Sequence, residues 1–220
     1  MNNERGNVFV YVLIAVVLFA ALTFILAKQE DEKEITTLSP ERAKLLATQL
    51  ITTATQVKSA LDQMVFAGTD PSEFDFAQPG SFGAAPHFDK VFHPQGGGVT
   101  LPPFPEEVTG QSTADPGNGW YLGRFNNFEW TVTAANDVVL TAYGINQQVC
   151  QELNRILVGN TTIPAFTDET RKFLVDDAGH GYTNADLTIA VCAGCESQAS
   201  LCVQNNLNDT YSFYNLVAAR

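Results

Sequence analysis

Four cysteines, Cys150, Cys192, Cys195 and Cys202, are the side chains best placed to do chemistry in this chain. Their number is even, and all lie in the C-terminal third, as expected of thiols paired in an oxidising compartment. Four cysteines allow three pairings. The favoured one joins Cys150 to Cys192, tying a helix to a strand, with Cys195 to Cys202 closing the loop. A direct Cys192–Cys195 bridge competes with it. Each bridge would contribute roughly 2–4 kcal/mol by restricting the unfolded chain. Cys192-Ala193-Gly194-Cys195 also has the spacing of a redox site, but such a site opens a helix in a βαβ setting that is not evident here. Zinc sites commonly use two close pairs of ligands, and this chain has one. Structural bridges are the preferred reading.

The remaining polar residues suggest little chemistry. His87, His93 and His180 lack metal-ligand spacing such as HExxH and read as solvated loop residues. Asp176, Asp177, Asn184 and Asp186 gather oxygen donors of the kind calcium takes, but without the EF-hand pattern. A solvated acidic loop is preferred, and no cofactor is expected beyond that calcium alternative. Neither a nucleophile elbow nor a Ser–His–Asp order is present, and Gly96-Gly97-Gly98 lacks the Lys-Ser/Thr of a phosphate loop. The chain is not expected to be an enzyme. Its formal net charge of −12 argues against a nucleic-acid partner, because there is no basic surface to displace counterions from phosphates.

These residues need elements to position them. Residues 8–27 carry no charge, and about 20 apolar residues rising 1.5 Å each would cross the roughly 30 Å hydrocarbon core. The expectation is a transmembrane helix at 8–27 behind a short leader at 1–7. A cleaved secretory signal fits less well, since its apolar region is shorter and Ile25-Leu26-Ala27 is a poor cleavage site. Arg5 precedes the span and Glu30, Asp31, Glu32 and Glu34 follow it, which would keep the N-terminus cytoplasmic and export the rest.

A charged juncture at 28–38 leads to the exported domain, 39–220. Ser39-Pro40-Glu41 reads as a helix start. Ala43, Ala47, Leu50, Ala54, Val57, Leu61 and Met64 form a stripe along an amphipathic helix at 39–67, more suited to the domain's own sheet than to a coiled coil. Residues 69–116 read as an irregular loop with aromatic plugs at Phe74, Phe82, Phe88 and Phe92. Residues 117–220 read as a meander plus a helix plus C-terminal strands. In that meander Gly119–Phe125 and Phe128–Ala134 flank an Asn126-Asn127 turn, and Val138 opens the third strand. Asn146 caps a helix that Gly159 ends. Leu187, Ile189 and Val191 alternate as a strand, and Tyr211–Val217 closes the chain as another.

Glu4-Arg5-Gly6-Asn7 followed at once by an apolar run, then an amphipathic helix, a meander and C-terminal cysteines, resembles the type IV pilin and pseudopilin superfamily. The resemblance rests on roughly the first 65 residues and the order of elements. It implies an α+β fold: a long N-terminal helix, membrane-spanning then amphipathic, packed on a small antiparallel sheet with a disulfide-bonded C-terminal region. It implies a prepilin peptidase cutting between Gly6 and Asn7, and placement in the inner (cytoplasmic) membrane as a single-pass protein with a periplasmic or extracellular domain. Other pilin-like subunits, or a secretion or pilus assembly, would be its partners. A calcium site recurs in some pseudopilins. Where the family places Glu five residues after the cut, this chain has Tyr11, which points to a minor or tip subunit of a type IV pilus or type II secretion-like filament. An anchored binding or adhesion module is the alternative.

Overall fold

The computed structural model describes residues 10–20, 23, 38–110, 116–176 and 183–219. The chain divides into two compact units, Met1–Leu38 and Ser39–Arg220. In the first unit residues 10–20 are helical (α1), and the hydroxyl of Thr23 donates to the carbonyls of Phe19 and Ala20.

Among the described residues no helix is long and apolar enough to cross a membrane. Residues 10–20 rise only about 16 Å at 1.5 Å each, roughly half the hydrocarbon core. The next helix, α2 (Pro40–Phe66), has the length but not the composition, because Lys44, Lys58 and Asp62 lie along it. The transmembrane helix at 8–27, the single-pass topology and the inner-membrane location are therefore corrected. So is the fold expected around one long N-terminal helix, since α2 opens afresh at its own cap. The leader residues Gly6 and Asn7 lie outside the described residues.

The second unit is built on a mixed five-stranded sheet. Its strands are β1 (Gly119–Asn126), β2 (Asp137–Ile145), β3 (Ala165–Phe166), β4 (Ser200–Asn205) and β5 (Thr210–Ala218), in the order β1-β2-β5-β4-β3. All neighbours are antiparallel except β3 and β4, whose two-residue parallel pairing makes the sheet mixed rather than antiparallel as expected. Helix α2 and helix α3 (Gln147–Val158) cover one face.

Local chemistry accounts for both helices. The Ser39 hydroxyl accepts from the Arg42 N–H and Pro40 occupies the first turn. All seven residues of the apolar stripe from Ala43 to Met64 are buried. Asn146 caps α3 by accepting from the Gln148 N–H, and Gly159 ends it at a φ of 79°, where a side chain would be strained.

Loops cover the opposite face. There Phe128, Val139, Phe166, Phe173, Leu174, Leu187, Leu201, Val203 and Tyr214 form one buried cluster. With helices on one side and this cluster on the other, every residue of β2 is buried, which explains its nearly unbroken apolar run.

Residues 128–134 are not a strand. Asp137 folds that segment into turns by accepting from the Phe128 N–H and the Thr131 hydroxyl, and the Phe128 ring enters the core. Asn126 is not a turn residue either. Its buried amide donates to the carbonyls of Lys172 and Phe173 in the short helix α4 (Arg171–Leu174). Leu187 makes a single parallel bridge with Phe128, so the strand expected at 187–191 is reduced to that contact.

Candidate functional site

All four cysteines are bonded, but not in the favoured arrangement. Cys150 pairs with Cys202 and Cys192 with Cys195. Strand alternation supplies the reason. Leu201 and Val203 point into the loop-side cluster, so Cys202 points the other way, toward α3 and Cys150. Cys192 and Cys195 belong to the loop-side cluster, and the sheet stands between them and Cys150. Both are essentially buried, and Gly194 between them sits so close to the Pro164 ring that a Cβ would lie 2.9 Å from it. A buried bridge of this kind is out of reach of a thiol partner, which argues for structure over redox exchange.

The oxygen donors near the C-terminus have structural partners. Asp186 accepts from the Asn127 N–H, and the Asn184 amide donates to Asp176 at 3.2 Å. Asp177 and His180 lie outside the described residues. Among the described residues no three His, Cys, Asp or Glu side chains group as metal ligands would.

His87 and His93 are brought together by residues 69–110. Their rings stack with centroids 4.1 Å apart, and Phe82 meets His93 edge-on at 4.8 Å. Burial, then the proximity of His87 and Lys90, lowers the His93 pKa. The excursion that holds them is ordered by pairing within itself. Lys90 meets Asp75 at 2.6 Å, the Val91 N–H donates to Asp75 and the Val99 N–H to Val91. The glycine run serves this packing: a Cβ at Gly96 would sit 2.2 Å from the Lys90 carbonyl oxygen, and one at Gly97 2.8 Å from the Met64 sulfur. Phe74 and Phe92 are buried plugs as expected, whereas Phe88 is exposed.

The excursion returns along α2 and leaves a groove of about 380 Å³ against it. On the helix side the groove is lined by Leu45, Thr48, Gln49, Leu50, Thr52, Thr53 and Gln56; Pro102, Pro103, Pro105 and Trp120 form the other wall. A second hollow of about 210 Å³ shares Thr53 and Gln56 with it and runs on to Val99 and Thr100. Near one end Arg42 and Glu107 form an ion pair at 2.5 Å, and the hydrogen bond and charge of Arg42 hold the Glu107 carboxyl below its ordinary range. Near the other, Gly97 packs on Met64. Phe104 meets the Trp120 ring edge-on at 5.8 Å.

Searches against protein-family profiles, curated proteins and solved structures returned no match. The groove thus has to be understood from its own lining. The apolar stripe of α2 does not announce it, because apart from Leu50 the groove uses helix residues beside the stripe. The available signal is the run of uncharged Thr and Gln at 48, 49, 52, 53 and 56, together with the Pro102-Pro103-Phe104-Pro105 segment.

Proposed function

We propose that this chain is a pilin-like or pseudopilin-like subunit of a type IV pilus or type II secretion-like filament, in a minor or tip position. The observation that supports this most is the layering of the second unit. A long capped helix precedes the sheet in sequence and lies with α3 on one face of it, and a disulfide ties the C-terminal strands to the helix layer. Such a domain suits packing into an assembly through its helices while presenting loops outward. Tyr11, in place of the family's acidic residue, favours joining a filament over building one. The reading includes no membrane span.

Mass spectrometry of the mature protein tests it. A chain beginning at Asn7, with prepilin peptidase as the processing partner, and co-purification with other pilin-like subunits are the expected results. An intact Met1, with no such subunits recovered after cross-linking, would overturn it.

A second reading, a binding or adhesion module without a filament role, is favoured by the groove between α2 and residues 102–105. Ligand capture by a chain that associates with no filament subunit would support it over the first.

A further inference from the structure

The side chains lining the groove are all uncharged, in a chain whose formal net charge is −12. A charged ligand would find no counter-ion among the lining side chains, and Arg42 near one end is already paired with Glu107. The helix wall sets hydroxyls and amides among Leu45 and Leu50, and the other wall has no side-chain amide or hydroxyl. On the helix side the exposed amides of Gln49 and Gln56 have no hydrogen-bond partner among the described residues. The hydroxyls of Thr48 and Thr52 donate to the carbonyls of Lys44 and Thr48, which leaves their oxygens as acceptors. The opposite wall is mostly carbon: three prolines and the Trp120 ring, whose buried indole N–H has no hydrogen-bond partner among the described residues, braced by Phe104.

A pyranose ring has the same division. One face is C–H and stacks on aromatic or proline carbon, while the rim carries hydroxyls that donate and accept. Gln49 and Gln56 are two helical turns apart on one side of α2, about 10.5 Å along its axis, the reach of roughly two linked rings. A proline-rich peptide also suits an aromatic and proline wall, but each proline lacks an N–H, and acceptors such as Thr48 and Thr52 call for donors.

We propose that the groove between α2 and residues 102–105 binds a neutral oligosaccharide, stacked on Trp120 and hydrogen-bonded through Gln49, Gln56, Thr48 and Thr52. This inference stands apart from the filament reading, because it concerns the groove alone.

The test uses the full chain carrying Trp130→Phe, so that indole emission reports Trp120. The probes are cellobiose, maltose, mannobiose and N,N′-diacetylchitobiose, with a glucuronate disaccharide and a proline-rich decapeptide as contrasts. At least one neutral disaccharide is expected to shift the emission saturably. Gln49→Ala and Gln56→Ala, both on the exposed helix surface, should each weaken binding by about three- to tenfold, the worth of one hydrogen bond. Trp120→Ala, made with Trp130 kept and read by isothermal titration calorimetry because the reporting indole is the one removed, should abolish binding; the two glutamine variants decide the matter if that protein does not fold. No saturable shift with any neutral disaccharide at tens of millimolar, binding indifferent to both glutamines, or saturation by the decapeptide or charged sugar alone would overturn the proposal.

Discussion

Asn154 has its side chain wholly buried between α3 and β4, where it donates to the carbonyls of Thr162 and Cys202 and accepts from the Cys202 N–H. Strand β3 reaches β4 only at Gln204 and Asn205, so the Asn154 amide stands in for the missing strand beside Cys202. Asn154→Ala should lower stability by about 2–3 kcal/mol in urea denaturation, because it leaves buried backbone groups without partners. A destabilisation no larger than that of an exposed Asn→Ala change elsewhere would contradict this role. His93 carries a different sensitivity. Its pKa is lowered from 6.5, first by burial and then by His87 and Lys90. The unfolded chain therefore takes up a proton before the folded one does, and stability falls as pH drops from about 6.5 toward the lowered value. His93→Gln should flatten that part of a thermal-denaturation pH profile. Neither Asn154 nor Asn126 was legible as a structural amide in the sequence, since Asn is a good turn and cap residue and its partners here are remote backbone groups.

Helices were the most legible elements because their signals are local: Ser39-Pro40, Asn146 and Gly159 act within one turn of themselves. Strands were less so. The apolar alternation at Leu187, Ile189 and Val191 describes burial on one side but says nothing of a pairing partner, and among the described residues the segment makes one bridge, Leu187 to Phe128. The two disulfides differ at this scale. Cys150–Cys202 closes a separation of 52 residues and joins α3 to β4, whereas Cys192–Cys195 closes one of 3. In the chain-entropy account, removing the first should cost about 4 kcal/mol and the second about 2 kcal/mol or less. Paired Cys→Ala variants compared by guanidinium denaturation check this, and equal losses would contradict the assignment. Gly97→Ala should destabilise the packing of the excursion on α2 by about 1–3 kcal/mol, because its Cβ would meet the Val91 carbonyl and the Met64 sulfur at under 3 Å. Faster proteolysis within residues 69–110 is the expected readout.

Across the whole molecule the acidic balance governs the response to pH. Hydrogen bonds from Lys90, Arg42, Arg155 and Lys172, each the largest influence on its partner, lower the pKa values of Asp75, Glu107, Glu152 and Asp168. Carboxylates of this kind contribute stability above their unfolded values of 3.8 and 4.5, and it is lost as pH falls through the lowered folded values. Acid unfolding followed by circular dichroism should therefore show a second decline below about pH 4, distinct from the His93 phase and retained in His93→Gln. Because these ion pairs are largely at the surface, added salt should shrink that second decline.

By itself the sequence determined what depends on near neighbours: where α2 and α3 start, which residues of α2 are buried, that the cysteines are even in number, and that the chain is strongly acidic. Only the tertiary structure decided which cysteines meet, because the sheet separates Cys150 from Cys192 and strand alternation turns Cys202 toward α3. The tertiary structure also showed that α2 begins at its own cap and that no described helix is long and apolar enough to cross a membrane. The groove belongs to that second group as well. Its walls come from residues 45–56, 102–105 and 120, which no local pattern links and only the return of the excursion along α2 brings together.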